Sequence, residues 1–169
     1  MKKNLVLLGM MAVGKTTLGK IVAKKQELKF IDIDTSIEKK NSMTIKEIFK
    51  KKGEKFFRME EANEILKSLE KNKCVIALGG GAFMNKTVRE NILKNAISIW
   101  LNVDIKTLYK RVKWNQKRPL LKEVNNQKKI TELYAERKNI YKLANHKIAC
   151  DNLSKKNIAE KIIALYEKY

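Results

Sequence analysis

A chain of 169 residues, 44% hydrophobic and 33% charged, is long enough for one compact domain with a full core, and no Pro/Gly/Ser-rich linker divides it, so one domain over 1–169 is expected. The formal charge of +20 invites a nucleic-acid reading, but 33 of the 38 basic residues are lysines scattered in pairs over helical faces, with no arginine-rich run or aromatic-interleaved stripe; a solvated surface is expected, and no nucleic-acid partner. No run approaches the roughly 18 apolar residues of a membrane span, and Met1-Lys2-Lys3 passes straight into a short strand, so neither a membrane partner nor a targeting segment is expected and the expected location is the cytoplasm.

Apolar runs near residues 4–8, 29–33, 74–78, 97–101 and 147–150 alternate with longer segments of helical spacing, which predicts an α/β fold with a five-stranded parallel sheet. The first run, Leu5-Val6-Leu7-Leu8, leads into Gly9-Met10-Met11-Ala12-Val13-Gly14-Lys15-Thr16, which fits G-x-x-x-x-G-K-S/T. Glycine permits φ > 0, so successive N–H groups of such a loop turn toward phosphate oxygens while the following helix adds its positive end. Lys15 supplies a mobile positive charge and the Thr16 hydroxyl suits Mg2+, so a nucleoside triphosphate site is predicted. Leu18, Ile21 and Val22 give the next helix its buried stripe.

In Phe30-Ile31-Asp32-Ile33-Asp34, strand period two puts both carboxylates on one face at the carboxyl end of a strand, the edge where α/β sheets bind ligands. One could hold Mg2+ through water and the other accept a proton from an attacking hydroxyl; equally, Asp34 could simply cap the next helix. Residues 36–70 hold two helical patterns, one opening on the capping box Thr44-Ile45-Lys46-Glu47 and ending near Gly53. In the segment Gly53-Glu54-Lys55-Phe56-Phe57-Arg58-Met59-Glu60-Glu61, Arg58 and Glu61 lie one turn apart, as in a surface ion pair. Leu78-Gly79-Gly80-Gly81 ends the third run and exposes bare N–H groups, to a ligand or in a plain loop.

Residues 113–127 are polar and include Arg118-Pro119-Leu120-Leu121, with the chain's only proline. The next helix carries the stripe Ile130, Leu133, Tyr134, Arg137, Tyr141. Its cation requires an anionic ligand or must snorkel to water. Cys74 and Cys150 sit in short β-like runs and read as small buried hydrophobes, not as a disulfide or metal site.

Together these motifs resemble the shikimate kinase family, small P-loop kinases of the nucleoside-monophosphate-kinase fold, over nearly the whole chain. The family pattern joins the phosphate loop to D-x-D (Asp32, Asp34), F-R-x-x-E (Phe57-Arg58-Met59-Glu60-Glu61), G-G-G (Gly79-Gly80-Gly81) and R-P-L-L (Arg118-Pro119-Leu120-Leu121). The resemblance implies a three-layer fold with a substrate-binding segment over about 33–61 and a lid over about 113–125. It implies transfer of the ATP γ-phosphoryl group to the 3-hydroxyl of shikimate, in aromatic amino acid biosynthesis, by a monomer using one Mg2+ per site. Lys15, Mg2+ and Arg118 would stabilise the transferring group, Asp34 would orient or deprotonate the hydroxyl, and Thr16 and Asp32 would serve the metal. Arg58 and Arg137 would clamp the shikimate carboxylate, with Gly80 and Gly81 fixing the ring. The nucleotide would lie on Gly9, Met10, Met11, Ala12, Val13, Gly14, Lys15, Thr16, Thr17, Arg111 and Arg118. Ala12 stands where such loops usually have another glycine, and Val13 where they have a small residue, so a slightly stiffer loop is expected. Rival readings are a same-fold kinase acting on gluconate or a nucleoside monophosphate, a nucleotide-dependent switch, which lacks the guanine-reading N-K-x-D, and a nucleic-acid-binding protein.

Overall fold

The computed structural model describes the backbone of residues 3–114 and 126–169 and the side chains of 3–112 and 127–169. Arg118-Pro119-Leu120-Leu121, and with them the role given to Arg118 and nearly all of the expected lid, lie outside the described residues. The element order is β1 (Asn4–Leu8), α1 (Lys15–Lys25), β2 (Lys29–Asp32), α2 (Ile33–Asn41), α3 (Ile45–Leu69), β3 (Cys74–Ala77), a 3-10 turn (Ala82–Met84), α4 (Lys86–Asn95), β4 (Ala96–Asn102), α5 (Ile105–Trp114), α6 (Asn126–Tyr141), β5 (His146–Ala149) and α7 (Lys155–Tyr166).

All five strands are parallel, in the order β2-β3-β1-β4-β5, with Leu5 of β1 opposite both Val75 and Ile97. The central strands β1 and β3 are buried along their whole length, which is why they read as unbroken apolar runs, whereas most residues of the edge strands β2 and β5 are half-exposed or exposed. The connection from β1 to β2 runs one way across the sheet and all later connections run the other. With right-handed crossovers, α1 therefore falls on one face and α3, α4, α5 and α6 on the opposite one. The packing agrees: α1 lies against α7, α3 against α4, and α5 against α6. The expected three-layer fold with a five-stranded parallel sheet is the one observed. Reversal of direction at β1 opens a crevice at the carboxyl end of that strand, directly above Gly9.

Local chemistry sets the elements that carry the site. Thr44 and Glu47 form the expected capping box, with Glu47 Oε2 2.8 Å from the Thr44 N–H. Gly53 (φ 82°, ψ 169°) breaks α3 into two helical halves, so the first pattern does end there. Glu60 in the second half accepts from Lys40 (2.9 Å) and Asn41 (3.3 Å), pinning α2 to α3. Cys74 and Cys150 are both buried and free, and burial pushes the Cys150 thiol up to about 11.

Candidate functional site

The phosphate loop is shaped by three left-handed residues, Gly9 (φ 137°), Ala12 (φ 61°) and Gly14 (φ 99°). At Gly9 a Cβ would stand 2.5 Å from the Leu101 carbonyl oxygen of β4, so no side chain fits between the loop and the sheet. Met10, Met11 and Val13 are buried in the core, which anchors the loop and leaves its main chain as the surface offered to a ligand. Lys15 is also buried, and its Nζ donates to the Gly9 and Met10 carbonyls, 2.8 Å each. The charge expected to be mobile thus closes the loop on itself, which compensates the desolvation of a buried ammonium. Thr16 and Thr17 are exposed on the first turn of α1.

The expectation that Asp32 and Asp34 share one strand face is corrected. The strand ends at Asp32, whose side chain caps α2 by accepting from the Thr35 N–H at 3.2 Å, and Asp34 belongs to the first helical turn. The cap is therefore Asp32, and the backbone turn sends the two carboxylates to different neighbours. Asp32 Oδ2 accepts from the Thr16 hydroxyl at 2.6 Å, joining the two residues assigned to a metal. Asp34 Oδ1 instead faces Gly79, 3.1 Å from where a Cβ would stand.

Arg58 and Glu61 form no surface pair. Arg58 Nη1 meets Glu61 Oε2 at 2.8 Å, with the Glu61 side chain 4% exposed and that of Arg58 34%. Burial raises the Glu61 pKa above the ordinary carboxylate range; Arg58 opposes the shift and nearby Asp34 adds to it. For Arg58 burial disfavours the charge, but Glu61 and Glu54 outweigh it and the pKa is raised. Glu54 also holds the guanidinium, at 3.2 Å, from an exposed position. Glu61 Oε1 is buried, has no hydrogen-bond partner among the described residues and stands against Gly79, where it would strike any added Cβ.

The glycine run is no plain loop. Arg58 Nη1 is 2.8 Å from a Cβ built on Gly81, and Arg137 Nη1 is 3.2 Å from one built on Gly80, so two guanidiniums press on adjacent bare residues. On its other side Gly80 meets the phosphate loop, with Met11 N 3.5 Å and Gly9 O 3.8 Å from the same point. Arg58, Glu61, Gly81 and Arg137 line one cavity of about 410 Å3, a size suited to a small molecule. Arg137 is half-buried and lines this cavity, so its head leaves the apolar stripe toward the cavity. The buried members of that stripe are Ile130 and Tyr141.

Arg111 lies on α5 near the end of β5, where its charge opposes the upward shift of Cys150. The Asp104 N–H there donates to both Asp151 oxygens, at 3.1 and 3.2 Å, tying the β4–α5 corner to the β5–α7 corner. Asp104 in turn accepts from the Thr107 N–H (2.9 Å) and hydroxyl (2.7 Å), which with Asp151 lower its pKa to about 2.

Sequence reasoning assigned no role to Glu61 or Tyr141. Glu61 stood in plain view one turn after Arg58, but only its burial separates an anchoring carboxylate from a surface partner. In the sequence Tyr141 is one member of an apolar stripe; in the structure its hydroxyl donates to the Gly80 carbonyl.

The chain is similar to known proteins over nearly its whole length. The family model described as shikimate kinase matches residues 11–167. A shikimate kinase of Sulfurihydrogenibium sp. (strain YO3AOP1) is 42% identical over 161 residues, covering 95% of this chain and 96% of that one. The structure of a shikimate kinase from Acinetobacter baumannii in complex with shikimate superposes with a TM-score of 0.93 at 31% identity, over 98% of this chain and 93% of that chain. A gluconokinase from Sinorhizobium meliloti 1021 (TM-score 0.61, 11% identity, 99% of this chain and 93% of that one) shares the fold alone. A phosphate loop, two arginines converging on a triple glycine and a carboxylate beside them are thus found in a chain that belongs to the shikimate kinase family.

Proposed function

We propose that this chain transfers the γ-phosphoryl group of ATP to the 3-hydroxyl of shikimate, giving shikimate 3-phosphate and ADP, as a monomeric cytoplasmic enzyme of aromatic amino acid biosynthesis. The observation that carries the reading is the convergence of Arg58 and Arg137 on Gly80 and Gly81, with Asp34 and the phosphate loop on either side of the same run.

A carboxylate in the 410 Å3 cavity would be gripped by two guanidiniums, each able to bind in a bidentate manner. Glu54 is the exposed and weakly held partner of Arg58, so an incoming carboxylate displaces it, while buried Glu61 keeps the guanidinium aimed. Gly80 and Gly81 let that ring approach bare backbone. Asp34, beside Gly79, orients the attacking hydroxyl and takes its proton. On the nucleotide side the loop from Gly9 to Thr16 cradles the phosphates, with Lys15 leaving its loop carbonyls to meet phosphate oxygens, and Arg111 lies beside the base. Arg118 completes the charge neutralisation by family resemblance.

Mg2+ fits the residues present, because Thr16 and Asp32 offer two hard oxygen donors at the helix N-terminus, held 2.6 Å apart. When bound, it neutralises charge on the ATP phosphates. Asp34→Asn is expected to abolish turnover while leaving ATP affinity nearly unchanged, and Arg58→Ala or Arg137→Ala to weaken shikimate binding by about 2–5 kcal/mol with ATP binding spared. Calorimetric titration with each ligand and an ADP-release assay test this; equal losses for both ligands, or turnover retained by Asp34→Asn, contradict it.

A further inference from the structure

We propose that Tyr141 is a positioning residue of this reaction: its hydroxyl locks the Gly80–Gly81 peptide plane, and so sets the acceptor-binding wall against the phosphate loop. The inference rests on the proposed acceptor cavity. Tyr141 ends α6 and is 1% exposed, packed on Trp100 with ring centroids 5.8 Å apart. Its hydroxyl donates to the Gly80 carbonyl, and the hydroxyl oxygen lies 3.8 Å from Met10 Sδ in the phosphate loop. Arg137, one turn earlier on α6, lies near enough for its positive charge to oppose the upward shift of the same phenol. One buried oxygen therefore touches both the nucleotide loop and the glycine run.

A trans peptide carries its C=O and the next N–H on opposite sides of one rigid plane. Holding the Gly80 carbonyl toward Tyr141 consequently turns the Gly81 N–H the other way, at the residue that lines the cavity beside Arg58. Glycine gives this segment no side chain with which to fix its own orientation, so the restraint has to come from outside. Burial pushes Tyr141 up to about 12, which keeps it a neutral donor at any working pH. Packing alone would be satisfied by phenylalanine, and a hydroxyl carries a burial cost that is recovered only through its bond.

Tyr141→Phe removes that bond and keeps the ring. In the chain 1–169 we expect the dissociation constant and KM for shikimate to rise about tenfold, the change that losing one buried hydrogen bond brings, while the ADP dissociation constant and the MgATP KM move by less than about twofold. Trp100→Phe, which disturbs the same packing without touching the hydroxyl, is the control and should not reproduce that selectivity. Unchanged shikimate affinity in Tyr141→Phe, equal weakening of both ligands, loss of folding at assay temperature, or the same selective loss in Trp100→Phe overturns the proposal. Should the native chain turn over another acceptor in this cavity, the proposed substrate fails, and the same ratio read with that acceptor decides the role of Tyr141.

Discussion

At Ala12 the phosphate loop turns through φ 61°, a left-handed conformation that costs a residue with a Cβ about 1–2 kcal/mol. Glycine would relieve that strain but bring about 0.5–1 kcal/mol of extra chain entropy to be lost on folding. The relief outweighs the entropy by somewhat under about 1 kcal/mol, so Ala12→Gly should raise the unfolding midpoint by no more than about 4 °C. ATP binding should weaken by up to about tenfold, because the looser loop must be ordered by the ligand; calorimetric titration checks this, and tighter ATP binding would contradict it. Glu61 shows the opposite balance, with burial dominating its partner. Its folded pKa is raised above the unfolded value, so its contribution to stability is fully present below the ordinary carboxylate range and is lost as pH rises through the raised value. Glu61→Gln should therefore unfold at a higher temperature than the native chain at pH 7, with the difference shrinking toward about pH 4, while binding shikimate less tightly because Arg58 loses its buried anchor. Thermal scans over that range decide it; a native chain more stable than the variant at pH 7 contradicts it. Neither effect is visible in a sequence: Ala12 is ordinary until its φ is known, and Glu61 is a surface partner until its burial is known.

Elements bring these residues together through their ends. The five strands are legible as apolar runs because a parallel sheet covered on both faces needs no alternation, and the bounds differ by a residue or so at most. The capping box of α3 and the stop at Gly53 are equally legible, since both are written in adjacent residues. Asp34 is misread for the converse reason: period-two alternation continues formally past Asp32, and nothing local announces that the Asp32 side chain starts a helix there. Gly53 does more than end a pattern, because the half-helix after it carries Arg58 and Glu61 and its direction sets where they point. Its φ of 82° and ψ of 169° lie in a region open essentially to glycine, yet nothing lies within 4 Å of an added Cβ. Gly53→Ala should consequently cost about 1–3 kcal/mol through backbone strain alone and weaken shikimate binding more than ATP binding. Denaturant unfolding with ligand titration tests this, and a variant as stable as the native chain would contradict it.

Over the whole molecule, the two halves of the site come from opposite directions of the winding. The phosphate loop leaves the central strand β1, the triple glycine leaves its neighbour β3, and Gly80 is where the two walls touch. Arg137 reaches this seam from α6, far along the chain, which is why the sequence lists the site residues but does not show them meeting. A net charge of +20 spread over lysines adds a field that draws anionic ligands toward any cleft, but it confers no selectivity among them. Selectivity has to come from the paired guanidiniums, and gluconate also bears a carboxylate, whereas a nucleoside monophosphate bears a phosphate. The most direct measurement is ADP release from Mg-ATP by the purified chain with shikimate, gluconate and nucleoside monophosphates offered separately. Turnover with shikimate, lost in Lys15→Ala, is expected; turnover with another acceptor and none with shikimate would contradict the proposed function.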